Sequence, residues 1–214
     1  LPIISLVRRQ HPLAAPKDCR CRGITCQVMP TDYAPPRSTS APASTRFVNA
    51  NADFVTDRLL VGGDLAKDRQ MAAEQLYELA QVGVTHIFDA RIEWSDEGFV
   101  RSLAPTITYF HQGMDDVGQR VPFDYFDEAV RSVNEALGSG GMVLAHCHMG
   151  INRGPSVAFA ALLAQGCDSI FALDEIRRAR EIAWIAYAED ALRWHHRGDQ
   201  ELLAHELSRL AAWR

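Results

Sequence analysis

The sequence predicts an α/β fold, because short apolar segments of strand type alternate with longer segments of helical periodicity. The alternation begins with an apolar strand at 58–61 and continues with a helix across 72–80 that stops at Gly83. Strand character returns at 84–88. With 214 residues, 47% of them hydrophobic, the chain can bury one sizeable core.

The same alternation continues in the second half of the chain. A short strand is predicted at 106–110, and the apolar stripe of an amphipathic helix follows at 126–137. The apolar run 141–145 is typical of a buried strand and precedes a helix at 155–166, with a proline near its first turn. Residues 168–213 predict further helices that cover the sheet and each other.

The first 45 residues differ in composition from the rest of the chain. Residues 1–45 hold seven of the ten prolines, six basic residues and two acidic residues, which predicts a disordered, proline-rich basic leader. Residues 46–214 form the predicted domain and carry 16 basic and 25 acidic residues, so no nucleic-acid partner is expected. No metal site is predicted at the leader cysteines, which are Cys19, Cys21 and Cys26.

Composition also bears on membranes, cofactors and location. No run approaches the roughly 18 to 20 apolar residues of a membrane helix, so no membrane partner is expected. His195 and His196 lack cysteine or carboxylate partners at ligand spacing, and neither a metal nor another cofactor is predicted. The apolar run 3–7 precedes Arg8 and Arg9, the reverse of a secretory signal, so a cytoplasmic location is expected.

The most informative segment is 146–153, which reads His-Cys-His-Met-Gly-Ile-Asn-Arg and joins a predicted strand to a predicted helix. Backbone N–H groups at a helix start, together with the positive end of the helix dipole, bind anions and favour an ionised thiolate. Cys147 would lie in this field, and Arg153 could offer a two-pronged guanidinium to phosphoryl oxygens. The segment therefore predicts a phosphate-binding catalytic loop.

Residues 146–153 resemble the His-Cys-x5-Arg signature of the cysteine-based protein tyrosine phosphatase superfamily, in particular its small dual-specificity phosphatases. The resemblance extends over about residues 54–195. It implies a central, mostly parallel sheet flanked by helices, with additional C-terminal helices. It also implies a hydrolase in which Cys147 attacks phosphorus to form a phosphocysteine, while Arg153 cradles the phosphoryl group.

In this family an aspartic acid on a separate loop protonates the leaving oxygen. The resemblance places it about ten residues before a phenylalanine at the start of the next helix, and counting back from Phe126 gives Asp116. Asp115 is the second candidate, and a solvated turn is the alternative reading for both aspartates. His146 and Ser156 are auxiliary candidates. The residues expected around the phosphate are His148, Met149, Gly150, Ile151, Asn152 and Arg153.

The position after the arginine departs from the family pattern. It usually holds serine or threonine, whose hydroxyl stabilises the departing thiolate, and here it is Gly154. Ser156 could take over this role, or it could simply cap the helix. We hypothesise a slow breakdown of the phosphocysteine intermediate. The alternative is a phospho-binding pseudophosphatase module that lacks efficient turnover.

The substrate class follows from what the loop lacks. It carries no lysine, and no counterpart of the tyrosine-recognition segment of the larger tyrosine-specific enzymes is found. Phosphotyrosine, together with phosphoserine or phosphothreonine, in a phosphorylated protein is therefore the predicted substrate. Asn152 also resembles RNA 5′-triphosphatases of the superfamily, an option that the acidic domain disfavours. The sequence leaves the oligomeric state open.

A basic cluster at Arg177, Arg178 and Arg180 has two interpretations. It could contact a phosphoprotein, or it could form a solvated helix face that pairs with Glu175 and Glu181. The solvated face is the preferred interpretation.

Overall fold

The computed structural model describes residues 19–21, 24–26 and 47–214. The strands are β1 (Cys19–Cys21), β2 (Ile24–Cys26), β3 (Ala52–Phe54), β4 (Leu59–Gly62), β5 (His86–Arg91), β6 (Thr108–Met114) and β7 (Val143–His146). The helices are α1 (Arg69–Gln81), α2 (Glu97–Leu103), α3 (Phe123–Gly138), α4 (Arg153–Ala164), α5 (Ser169–Ala179), α6 (Ala188–His195) and α7 (Gln200–Trp213).

The central sheet has five strands in the order β3-β4-β7-β5-β6. Only β3 runs antiparallel to its neighbour, and the β4–β7, β7–β5 and β5–β6 pairs are parallel. The predicted α/β class and the mostly parallel sheet are therefore confirmed. Strand β7 lies in the middle, with His146 in register with Gly62 of β4 and Asp89 of β5. The chain that follows β7 thus leaves the sheet at the centre of its C-terminal edge.

Helices cover both faces of the sheet because its inner strands are apolar on both sides. Leu60 and Leu144 pack on one face in a cluster with side chains of α1 and α2. Val61 and Ala145 pack on the other face with side chains of α3 to α7. Helix α4 is the most deeply enclosed helix, since every residue from Arg153 to Leu163 is buried. The predicted C-terminal helices are also confirmed.

Two predicted elements have different bounds in the structure. The strand predicted at 106–110 is observed at Thr108–Met114, because β6 continues to pair with β5, with a shift of register after the Asp89–His111 pair, as far as the Arg91–Met114 pair. Residues 111–113 are polar or glycine, as an edge strand tolerates, so the apolar pattern predicted an end before the observed end at Met114. Helix α4 begins at Arg153 rather than at Pro155.

The predicted leader lies mostly outside the described residues. Its described part is an antiparallel pair of three-residue strands, β1 and β2, in which Cys19 is opposite Cys26. The disorder predicted for 1–45 stays a prediction. Among the described residues, no helix is both long and apolar enough to cross a membrane.

Candidate active site

The predicted phosphate loop lies where β7 meets α4. Cys147 follows the last residue of β7, and Arg153 is the first residue of α4. The Cys147 side chain is buried, and its backbone N–H donates to the Gly62 carbonyl at 3.3 Å. The strand and the helix therefore place the two predicted catalytic residues at opposite ends of one short loop.

The carbonyl groups of residues 148–152 all accept hydrogen bonds from outside the loop. The C=O group of one residue and the N–H group of the next share a peptide and point in opposite directions, so the N–H groups of 149–153 are turned towards the loop interior. Within residues 47–214, these N–H groups find no hydrogen-bond acceptor. The His148 carbonyl accepts from the Asp64 N–H at 3.0 Å, and the Asn152 carbonyl accepts from the Ser156 N–H at 2.8 Å. The Met149 and Gly150 carbonyls both accept from the Arg180 side chain at 2.8 Å. The Ile151 carbonyl accepts from the N–H groups of Trp184 and Ile185, at 2.9 and 3.1 Å.

The backbone conformation and close packing of the loop require a glycine at position 150. Its φ of 68° lies in the left-handed region, which side chains disfavour. A Cβ at this position would also lie 2.6 Å from the Gly62 carbonyl group and 2.7 Å from the Arg180 Nε. The glycine therefore lets the loop turn against β4 while its N–H groups face inward.

Arg180 supports the loop from outside, which corrects the preferred interpretation of the basic cluster. It is buried, and besides the two loop carbonyls it binds Asp53 at 2.7 Å and Asn51 at 2.8 Å. Arg178 does pair with Glu175 as predicted, at 2.5 Å. The sequence could not separate Arg180 from its neighbours, because the three arginines lie almost in succession and only the end of α5 turns one of them inward.

Arg153 is oriented by a carboxylate that the sequence analysis missed. The Glu93 carboxylate accepts two hydrogen bonds from the terminal nitrogens of Arg153, at 2.8 and 2.9 Å. The Met114 carbonyl accepts a third from Arg153 at 3.0 Å. The Nε atom of Arg153 is buried and has no hydrogen-bond partner among the residues that the structure describes. The guanidinium is thus anchored on one edge and keeps a free donor on another.

Asp116 lies closer to the loop than Asp115 does. Its carboxylate is 3.6 Å from the Arg153 Nε and accepts from the Asn152 amide at 3.3 and 3.4 Å. The Tyr187 hydroxyl donates to it at 3.0 Å. Asp115 is exposed, and its backbone carbonyl oxygen lies 3.2 Å from the same hydroxyl as an alternative acceptor. The geometry therefore favours Asp116 as the acid candidate.

A buried ionic cluster lies beneath the loop. Arg91 has no exposed surface and binds Asp89 at 2.7 Å, and it binds both Asp64 and Asp96 at 2.8 Å. The Tyr109 hydroxyl donates to Asp89 at 2.6 Å. In the sequence, this buried ionic cluster is indicated by Asp89 and Arg91, which lie two residues apart at the end of an apolar strand.

The buried ionic cluster contacts both histidines of the loop. His146 Nε2 lies 3.6 Å from Asp89, and burial lowers the pKa of this histidine, so it stays neutral. His148 is half exposed, and its Nδ1 pairs with Asp64. Burial alone would raise the pKa of Asp89, but the hydrogen bonds from Arg91 lower it overall. Among the described residues, no group of three or more His, Cys, Asp or Glu side chains could hold a metal ion.

Ser156 lies in the first turn of α4, and its role towards the thiolate stays a prediction. Its side chain is fully buried, and the hydroxyl oxygen accepts from the Tyr187 backbone N–H at 3.3 Å. This bond ties the first turn of α4 to the segment before α6.

Comparison with known proteins places this site in a family. A model of the dual specificity phosphatase catalytic domain matches residues 68–185, more than half of the chain. The chain belongs to the dual specificity phosphatase family. The matched range of this dual specificity phosphatase domain contains the loop and Asp116. It also contains Glu93 and Arg180, which bind Arg153 and the loop carbonyls.

Two curated relatives match about half of this dual specificity phosphatase chain. A probable rhodanese domain-containing dual specificity protein phosphatase of Dictyostelium discoideum is 27% identical over 116 residues, which are 53% of this chain and 22% of that protein. Protein phosphatase Slingshot of Drosophila melanogaster is 31% identical over 110 residues, 50% of this chain and 10% of that protein. The chain therefore spans less than a quarter of the length of these relatives.

Solved structures show the same fold. A mouse putative dual specificity phosphatase complexed with zinc tungstate is similar with a TM-score of 0.58 and 17% identity, over 79% of this chain and 98% of that one. Human DUSP28 is similar with a TM-score of 0.57 and 19% identity, over 70% and 96% of the two chains.

Gly154, the departure from the pattern of dual specificity phosphatases, is explained by close packing. A Cβ at this position would lie 2.9 Å from the Ala145 carbonyl oxygen and from backbone atoms of His146. We expect Gly154→Ser to lower the free energy of unfolding by about 1–3 kcal/mol, because the first turn of α4 must move away from β7. Urea unfolding measures this, with Gly98→Ser as the control, since a Cβ at position 98 meets nothing within 4 Å. A Gly154→Ser variant as stable as the control would contradict the packing explanation.

The Glu93–Arg153 pair predicts a pH dependence of stability. The two hydrogen bonds from Arg153 lower the pKa of Glu93 to about 2. Because this pKa lies below the unfolded value, the ionised carboxylate stabilises the fold above about pH 4.5, and the stabilisation is lost as the pH falls towards 2. We expect the free energy of unfolding of Glu93→Gln to be lower than that of wild type at about pH 6, with the gap closing at about pH 2. A gap of constant size would contradict the pairing.

Proposed function

We propose that this chain is a metal-independent phosphatase that hydrolyses phosphotyrosine, and phosphoserine or phosphothreonine, in proteins through a phosphocysteine intermediate. The observation that carries the proposal is the loop at 148–152, whose five carbonyl groups are all bonded outward. The N–H groups of these peptides, together with the Nε of Arg153, would supply donors around a phosphate bound next to Cys147. Such a set suits the oxygens of a phosphate dianion.

The reaction would proceed in two displacements. The Cys147 thiolate attacks phosphorus while the bond to the leaving oxygen breaks, and Asp116 gives that oxygen its proton. The loop N–H groups and Arg153 hold the three other phosphoryl oxygens as negative charge redistributes. In the second displacement Asp116 takes a proton from water, the water oxygen attacks phosphorus, and the thiolate leaves. Inorganic phosphate is released, and the enzyme returns to its starting state with a Cys147 thiolate and a protonated Asp116.

Glu93 and Arg180 would act in this scheme by positioning other groups. Glu93 binds the two terminal nitrogens of Arg153. The Nε of Arg153 would therefore keep a fixed direction towards the phosphate. Arg180 fixes two carbonyls, and with them the N–H groups of the same peptides, which belong to Gly150 and Ile151. These contacts would hold the donors in a fixed arrangement, which would reduce the rearrangement needed when phosphate binds. A reducing compartment such as the cytoplasm would keep the Cys147 thiolate available.

The alternative of a phospho-binding module rests on Gly154. The position offers no hydroxyl, and close packing leaves no room for one. Such a module would bind phosphate without releasing it from esters. An RNA 5′-triphosphatase is less favoured, because 46–214 has an excess of acidic residues and the loop adds no lysine.

The proposal is tested by phosphate release from phosphotyrosine and phosphoserine peptides by the full chain, with a metal chelator present. We expect release by wild type and a loss of at least about a hundredfold in Asp116→Asn. Asp115→Asn is the matched control, because it changes the neighbouring exposed carboxylate and should lose far less. Wild type that binds tungstate but releases no phosphate would instead support the binding module.

The second displacement can be followed separately. Without a hydroxyl at position 154, we expect breakdown of the phosphocysteine to limit turnover. Stopped-flow measurement with an aryl phosphate should then show a burst of aryl alcohol, about one per active site, followed by a slower linear phase. Linear release from the first turnover would contradict slow breakdown.

A further inference from the structure

The segment between α5 and α6 is held tightly against the phosphate loop. The N–H groups of Trp184 and Ile185 both donate to the Ile151 carbonyl. Ile185 has a φ of 56°, which is unusual for a β-branched residue, and its side chain is fully buried. Strain of this kind persists where surrounding contacts fix the backbone, and it is concentrated at functional sites. Two residues later, the segment presents Tyr187.

Tyr187 contacts both α4 and the turn at 115–119, which carries the proposed acid Asp116 and is called the acid-bearing turn below. Its backbone N–H donates to Ser156 of α4. Its side chain is buried, and its hydroxyl lies 3.0 Å from the Asp116 carboxylate, 3.2 Å from the Asp115 carbonyl and 3.3 Å from the Gln119 side-chain oxygen. The hydroxyl oxygen also accepts from the Gly118 N–H at 3.3 Å. One phenol therefore contacts four residues of the turn at 115–119.

We propose that Tyr187 is a positioning residue that holds Asp116 in place for proton transfer to the leaving oxygen. The inference rests on the proposed phosphatase function and goes beyond it, because neither the signature loop nor the acid-bearing turn contains this residue. Asp116 lies on an exposed turn and its other close contacts are long, namely the Asn152 amide at 3.3 and 3.4 Å and the Arg153 Nε at 3.6 Å. The tyrosine gives it the shortest contact.

The chemistry of a phenol suits this task. Burial raises the pKa of Tyr187, so the hydroxyl keeps its proton and acts as a donor. While Asp116 is protonated, the hydroxyl can donate to the Asp115 carbonyl. Once Asp116 has given up its proton, the hydroxyl can donate to the new carboxylate, and hydrogen bonds to ionised groups are the stronger kind. The contact thus becomes stronger as the proton moves to the leaving oxygen.

The test is the dependence of kcat/KM on the leaving group in the full chain. This constant reports the first displacement, so slow breakdown of the intermediate does not mask it. Phenyl phosphate needs a proton on its leaving oxygen, whereas 2,4-dinitrophenyl phosphate does not. We expect Tyr187→Phe to lose about tenfold on phenyl phosphate and less than about threefold on the dinitrophenyl ester. Asp116→Asn should lose more, with the same selectivity.

A double variant and a control complete the test. Because Tyr187 acts through Asp116, the Asp116→Asn/Tyr187→Phe variant should lose no more than Asp116→Asn alone. Tyr125→Phe is the matched control: it removes another buried hydroxyl, which donates to the Gln112 carbonyl at 3.1 Å, and it should leave the ratio of the two rates unchanged. Should Tyr187→Phe not fold, 3-fluorotyrosine at position 187 changes the donor strength alone and should alter the same ratio.

The outcomes separate this inference from the proposed function. An unchanged ratio in the Tyr187 variants, or losses that multiply in the double variant, would overturn the role of Tyr187 while Asp116→Asn still showed selective loss. Wild type that hydrolyses neither ester would overturn the proposed function and this inference with it.

Discussion

Cys147→Ser is expected to abolish phosphate release, with a loss of at least about a thousandfold in kcat for every phosphomonoester. Cys147 is buried at the start of the loop, between the end of β7 and the first residue of α4, and it is the proposed nucleophile. A serine hydroxyl in the same place stays protonated and is a far weaker nucleophile. The measurement is phosphate release from an aryl phosphate under saturating substrate.

The control for this loss is binding. The substitution changes one atom, and it leaves the loop N–H groups and Arg153 in place, so Cys147→Ser should still bind tungstate. Titration calorimetry would show this. Residual activity above about a hundredth of wild type would mean that another group attacks phosphorus.

Arg91→Met is expected to have the largest effect on stability, a loss of about 3–5 kcal/mol in the free energy of unfolding. Arg91 has no exposed surface and neutralises the fully buried Asp89, with Asp64 and Asp96 at its other nitrogens. Methionine fills similar space but leaves these carboxylates without a cation. Urea unfolding, followed by circular dichroism, measures the change.

A surface arginine provides the matched control for this prediction. Arg101 pairs with Glu97 on α2, but its side chain keeps 74% of its exposure, so Arg101→Met should change stability by less than about 0.5 kcal/mol. Equal effects of the two substitutions would contradict the stabilising role of Arg91 in the buried ionic cluster.

The sequence predicted the fold and the loop because both depend on local patterns. The apolar run before Cys147 and the helical spacing after Arg153 are visible in the residues themselves, and the structure confirms a strand and a helix there. The turn proposed to carry the acid was predicted from the family resemblance, through its spacing from Phe126. These features require no knowledge of which distant segments meet.

The supporting residues could not be predicted in the same way. Glu93, Arg180 and Tyr187 lie 30 to 71 residues from their partners in the loop or on the acid-bearing turn, and each looks like an ordinary surface residue in the sequence. Only the parallel sheet, which brings the ends of β5, β6 and β7 together, reveals their contacts. Arg180 was misinterpreted for this reason, since its pairing with Asp53 spans 127 residues.

The most direct test of a phosphocysteine mechanism is to trap the intermediate. Wild type would be mixed with a radiolabelled phosphomonoester, quenched in denaturing detergent within milliseconds and digested. We expect label on the peptide that contains Cys147, approaching one phosphate per chain before steady state. Phosphate release without labelled protein, or label on any other residue, would contradict the mechanism.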